Sequence, residues 1–594
     1  MTTEQSRRAG RVVGLTGMFA GLVLGLLAAA SPEQTAMAAV PGAAQPNAKV
    51  NEFPHPTPAE KQKIAWIGAN ACKQCHDTPD PTMNDEYKST RGFDFVRLQE
   101  NKVWGVHDLH STAFKNLVTS RTPEDIRFGA TGSNATAQRM EDNLRASGSQ
   151  AKYRDANYTV ATDTQCLACH ASTKQPTALA PHSEWTADSF QPRDGVGCEM
   201  CHGHGSQYRF RHGESRIDKK AAPKGAESVV DWREADPAIK SEWGLVNLRD
   251  HATATSQCAS CHIGNLRDGR FVTHEMYAVG HPPLPPLDLV AYTREQPRHW
   301  GLPKELPYFE TLDKNKALAI FSIRAGESHP TRRFVESTVA GLRSAVVLSQ
   351  QLADLGKDSG LDFAAFDCSS CHHNLKYPSD RQARGYVGIP GRPLFRPAAF
   401  VMAKVVIEHA TTMPGAGAEL KKAHEDLLKA EQVLLGAFAV KSFGDPAKIK
   451  EAAASIETWS TETLKLLGQV KYDEAQTKTL LAKLVEATQK PIADPEVAQL
   501  LMWGVETLAI DRLPAGPDST APEALAKLDT SLKPYVVTRL REGNVYPFEV
   551  KPGTKGPALD AVDKRISGRM KTFNSFESAV FKKAYSDVKP ELLK

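Results

Sequence analysis

The chain has 594 residues, too many for one compact core and enough for about two to four domains. Its 69 Asp and Glu nearly balance 73 Lys and Arg, leaving a formal net charge of +4, which excludes the basic stripe of a nucleic-acid binder. A hydrophobic fraction of 41% and a charged fraction of 24% are those of a globular protein, and 38 Pro with 41 Gly predict long ordered loops between helices.

At the N-terminus, Arg7, Arg8 and Arg11 precede an apolar run over residues 12–30, and small residues around Ala36-Met37-Ala38 offer a cleavage site. Residues 1–38 are therefore expected to be an export signal. An uncleaved anchor is the competing reading, because the run is long. The Arg7-Arg8 pair resembles a twin-arginine signal only faintly. Residues 39–64, rich in Pro, Ala and Asn at their start, are expected to form a flexible tether.

All ten cysteines fall into five C-x-x-C-H motifs: Cys72, Cys75, His76; Cys166, Cys169, His170; Cys198, Cys201, His202; Cys258, Cys261, His262; and Cys368, Cys371, His372. Disulfides, a zinc site or a thioredoxin-like redox pair would leave the histidine after every pair unexplained. Covalent haem attachment explains it. Two thiols three positions apart form thioethers with the two haem vinyl groups, and the adjacent histidine lies under the iron as its proximal ligand. Five haem c groups are expected, attached in an oxidising compartment, in agreement with the export signal.

Of 19 histidines, the five that close the motifs are committed. A second imidazole makes a six-coordinate iron suited to electron transfer, whereas an open position permits catalysis. His107 and His110 lie three apart and share a helix face. His110 is favoured because Ala113, Phe114 and Leu117 follow it, and His107 reads equally as a solvated or supporting residue. His212 lies in a segment too polar to be ordinary core and is a further distal candidate. His204, two residues past a motif, reads as a loop residue. His274 and His281 are seven apart, two helical turns, and at least one is expected to ligate. His299, His329, His373 and His409 are weaker. His409 lies on an apolar stripe with Met402, Val405 and Val406 and reads as a core histidine satisfied by a hydrogen bond. His55, His182, His251 and His424 read as surface residues.

The haem region is expected over residues 65–377, and the short interval between the second and third motifs predicts that their haems pack as a pair. Val335, Val339, Leu342, Val346 and Leu352 predict a helix over about 331–355 with Gly356 as its C-cap. Residues 378–397 form a Pro/Gly/Arg-rich connector. Beyond it, Leu420, Ala423, Leu427, Leu434 and Phe438 keep one helical face, and Leu480, Leu481, Leu484 and Val485 another. Asp494-Pro495-Glu496 reads as an N-cap followed by proline at the first helical position. Residues 398–594 are therefore expected to be a helical bundle with a structural or docking role, interrupted by loops at 513–522 and 546–557. The fold class is mainly α: a haem-packed multihaem domain with long loops, then a helical bundle.

The first four motifs resemble the cytochrome c-554-like multihaem family. The resemblance rests on the first motif followed by Trp104 and His110, on Gly195-Val-Gly-Cys-Glu-Met-Cys-His-Gly203, and on the basic segment from Arg209 to His212. It covers roughly residues 65–300 and implies a mostly helical fold with haems in close stacked and angled pairs. It further implies bis-histidine ligation with His110 and His212 as distal ligands, and a second haem without a distal ligand. The chain departs from the four-haem pattern in its fifth motif, its His274/His281 segment and its long haem-free C-terminus.

The expectation from sequence is a periplasmic electron carrier working with periplasmic or membrane-bound redox proteins, and not with nucleic acid. Arg209 and Arg211 are candidates to hold haem propionates. The alternative is an oxidoreductase acting on a small nitrogen or sulfur compound at one five-coordinate haem.

Overall fold

The structure is a computed structural model that describes residues 55–77, 100–119, 135–172, 194–214, 232, 235–300, 322–386, 388–492, 494–511, 523–535, 571 and 575–593. The expected export signal, most of the tether, His182 and the two C-terminal loops lie outside the described residues. The protein is mainly helical, and the described residues contain two isolated β-bridges and no strand.

In the motif-bearing region the helices are short, and four motifs close one. They are α1 (Ala69–His76), α4 (Thr164–His170), α5 (Cys198–His202) and α7 (His251–His262), each ending on its motif histidine. The fifth motif begins on a 3-10 turn, Cys368–Ser370. One helical turn brings both cysteines to one face, so a motif needs little more helix than that. Aspartates start several of these turns by accepting from the backbone: Asp163 from Gln165 N, Asp250 from Thr253 N and Asp367 from Ser369 N. Between them lie α2 (Glu100–His107), α3 (Ala135–Ser147) and α6 (Gly205–Glu214), followed by α8 (His274–Val279) and α9 (Leu289–Glu295).

Apolar packing here is modest. One cluster gathers Phe114, Leu144, Tyr153, Val160 and Leu167 around α3 and α4, and a smaller one gathers Tyr208, Trp232, Ile239 and Trp243. The Gly-Val-Gly string owes its composition to close approach. Gly195 adopts φ +63°, and a Cβ there would lie 2.4 Å from the His110 carbonyl oxygen. Val196 N–H donates to that same oxygen at 2.9 Å, and Trp104 Nε1 donates to the Val196 carbonyl at 3.1 Å.

The long helix α10 (His329–Leu355) starts where Ser328 accepts from Thr331 N, with Pro330 in its first turn. It begins two residues before the predicted start, and the Gly356 N–H bonds back to the Leu352 carbonyl at its end. Its stripe of Val335, Val339, Leu342 and Val346 is wholly buried. It packs on α7, α9, α11 (Ala398–Ala410), α13 (Pro446–Leu467) and α15 (Pro495–Asp511). With α12 (Ala418–Ala439), α14 (Glu474–Ala487), α16 (Glu523–Leu532) and α17 (Ser578–Leu592) these form one continuous apolar core running from Ala291 to Leu592. Each fully buried Leu, Val or Phe of that core contributes about 1.5–3 kcal/mol.

Candidate haem centres

None of the described motif cysteines forms a disulfide. Cys72 and Cys198 lie within hydrogen-bonding reach of each other, as do Cys169 and Cys261. Cys201 is within electrostatic reach of Cys258 and Cys261. The close cysteine contacts therefore join the first motif to the third and the second to the fourth. The second and third motifs are adjacent as well, since Ser172 N–H donates to the Gly195 carbonyl and Gly197 N–H donates to Ser172 Oγ, at 2.7 Å each.

The histidines carry the clearest geometry. The rings of His76 and His212 stand 6.1 Å apart between centroids, His110 and His262 6.2 Å, His202 and His299 6.3 Å, and His274 and His372 6.3 Å. His281, half-buried, lies within electrostatic reach of His170. Two metal–imidazole bonds of about 2 Å plus about 1.1 Å from each nitrogen to its ring centre give a separation of about 6.2 Å. The residues present thus fit an iron between each of the four measured pairs.

Hydrogen bonds select the ring nitrogen that is left for a metal. Nδ1 of His170, His212, His281 and His299 donates to the carbonyls of Ala113, Tyr208, Pro282 and Pro297 at 2.9, 2.9, 2.8 and 3.3 Å. His76 Nδ1 faces Glu100 Oε2 at 3.2 Å, and His110 Nδ1 faces Asp108 Oδ1 at 2.9 Å. With Nδ1 engaged, Nε2 is the nitrogen each ring would present to a metal, and its direction is set by the acceptor behind it. Burial opposes ionisation of Asp108, yet its contact with His110 holds it well below the usual carboxylate range. Against the same burial, Asp108 raises His110. Burial, then His170, lowers His281 to about 4, and burial, then His299, lowers His202 to about 4. Both therefore present bare imidazoles at neutral pH, the form a metal takes.

Glu199 of the third motif ties this region together. Its carboxylate accepts from Ile67 N at 3.0 Å and from Gly68 N and Gly205 N at 2.7 Å each, fixing the start of α1 against α5 and α6. Arg211 pairs with Glu60 at 3.0 Å and lies over the Trp243 ring.

Among the sequence candidates, His110, His212, His274 and His281 each come to a motif histidine. His107 is buried at the end of α2, and His262, the motif ring at that turn, is faced by His110. The sequence reading ranked His299, which faces His202, among the weaker candidates. Counting motifs against strong candidates was the available signal, since five irons needed one partner more than the convincing contexts supplied. His409 is buried as expected, but neither ring nitrogen has a hydrogen-bond partner. His251 was read as a surface residue and is buried instead, its Nδ1 on Glu336 at 2.7 Å and its Nε2 3.2 Å from His329 Nε2. Those two rings, 5.1 Å apart, are too close to hold an iron along the line between them.

Residues 127–203, which carry the second and third motifs, match the family model of cytochrome c554 and c-prime. The match supports a c-type cytochrome. Such a cytochrome binds haem c covalently, which is the chemistry the motif thiols offer. No curated protein and no solved structure matches the chain. Among the described residues, no helix is long and apolar enough to cross a membrane.

Proposed function

We propose that this chain is a five-haem c-type cytochrome that carries electrons between redox partners in the periplasm, every iron held by two imidazoles. The single observation behind this reading is the set of four histidine pairs at an iron-bridging separation, each between one motif histidine and one histidine from elsewhere in the chain, with His281 within electrostatic reach of the remaining motif histidine, His170. Covalent haem c supplies a reversible one-electron couple. The protein attaches it through Cys72, Cys75, Cys166, Cys169, Cys198, Cys201, Cys258, Cys261, Cys368 and Cys371. The proximal residues would be His76, His170, His202, His262 and His372. Their opposite partners would be His212, His281, His299, His110 and His274.

What the side chains do is hold both axial nitrogens in place, so that a change of oxidation state requires little rearrangement. A His281 ligand would also bear on the rival enzyme reading, which needs an open second iron, because it would put an imidazole where a substrate would have to bind. The export signal expected over residues 1–38 supports a periplasmic location, with soluble or membrane-bound redox proteins as partners.

Low-temperature EPR of the oxidised, haem-loaded protein tests this, repeated with cyanide, nitrite and hydroxylamine. Five low-spin haems indifferent to added ligand are expected. A high-spin signal that shifts with any of these ligands would overturn the all-histidine assignment.

A further inference from the structure

The fifth motif differs from the others in its surroundings. Asp367 immediately precedes Cys368 and is buried. Asp494, the N-cap residue before α15, is buried too, and only 3% exposed. Its Oδ1 accepts from Val497 N at 3.0 Å, while its Oδ2 is enclosed without a hydrogen-bond partner. Glu496, in the first turn of α15, pairs with Arg396 at 3.0 Å, and the same guanidinium lies 3.7 Å from Cys368 Sγ. Tyr277 of α8, the helix that begins with His274, lies within electrostatic reach of Arg396, Glu496 and Cys368. Arg384 acts on Asp367 but is itself bonded to Asp380.

Three carboxylates thus share one directly bonded guanidinium, Arg396, which Glu496 already occupies. Two ionised aspartates buried within electrostatic reach of each other would leave charge uncompensated, so one of them binds a proton more readily than an ordinary carboxylate. Asp494 is the one that does, because its second oxygen has no hydrogen-bond partner, whereas Asp367 lies within electrostatic reach of Arg396.

We propose that Asp494 is a proton-binding site coupled to electron uptake at the fifth motif. As the iron held there goes from ferric to ferrous with one electron from a one-electron donor, the Asp494 carboxylate takes one proton from solvent and forms one O–H bond. On oxidation both leave. This rests on the five-haem reading above and gives the C-terminal helices a part in it, since α15 supplies the titrating group. Burial, then Asp367 and Glu496, push Asp494 up to about 8. Burial and Glu496 raise Asp367 to about 6. Exchange therefore falls in the range where a periplasmic protein works.

The test is redox potentiometry of the full, haem-loaded chain across about pH 6 to about pH 8, with proton uptake followed by an indicator dye. Protonation favours the reduced state, so one midpoint should fall as pH rises, by at most about 59 mV for each tenfold fall in proton activity. Asp494→Asn keeps the helix cap and should flatten that slope and abolish the matching proton uptake. Asp367→Asn, which removes a neighbouring charge, should move the sloping window to lower pH. Five low-spin haems whose midpoints ignore pH would overturn this proposal alone, as would a slope that survives Asp494→Asn or a window that ignores Asp367→Asn. A wild-type protein that loads fewer than five haems would overturn both this proposal and the five-haem reading.

Discussion

The residues before about 300 and those after it reach a folded state by different means. The earlier region has helices of one to four turns and two small apolar clusters, and its best-ordered feature is the set of facing imidazoles. The later region has α10, α12 and α13, each of more than twenty residues, around one continuous core. Where a large apolar cofactor fills the interior, side chains need only position it, and short capped turns suffice. Where no cofactor is expected, apolar stripes at helical spacing must bury each other. The two regimes meet at α10, which packs on motif-bearing α7 with one side and on α13 with another.

The largest effect that would sharpen this contrast is loss of one haem. Replacing Cys198 and Cys201 by Ala should strip hydrogen-exchange protection from α1, α5 and α6, while α12–α14 keep theirs, as read by exchange mass spectrometry. Equal loss in both regions would break the comparison. Next is a single axial ligand. His299→Ala should convert one low-spin haem to high-spin in EPR with the helical circular dichroism intact, and His281→Ala should do the same at the second motif. In the other regime, Leu342→Ala, at a wholly buried position of α10, should cost about 2–5 kcal/mol in denaturant unfolding.

A pH effect comes from Asp494. Its folded value of about 8 lies above the value of about 4 for an unfolded aspartate. The stability it contributes is therefore full below about pH 4 and lost as pH rises toward 8. Unfolding curves between these limits should slope downward with pH for the wild type, and less so for Asp494→Asn. The smallest expected change is at the surface pair between α10 and α13. Lys450 and Asp354 are 53% and 57% exposed, and Lys450→Ala should cost less than about 0.5 kcal/mol.

The sequence by itself determined the chemistry of attachment and the helical stripes, because both are local. Two thiols and a histidine within five positions define a haem site whatever the rest of the chain does. A 3.6-residue apolar period defines α10 and α12 before either finds a partner. The Asp494-Pro495 cap was legible for the same reason. Which histidine faces which motif histidine was not local. His110 meets His262, and His274 meets His372, across long stretches of chain, and the preference for one partner over another lies in packing, in carbonyl acceptors such as Pro297 and in glycine-permitted approaches such as Gly195. His299 has an unremarkable sequence context and becomes a candidate ligand only when the fold brings His202 opposite it. The burial of Asp494 beside Asp367 was equally invisible, since a capping aspartate reads the same whether it faces water or another carboxylate. Only tertiary structure sets the dielectric and the neighbours that decide where its proton stays.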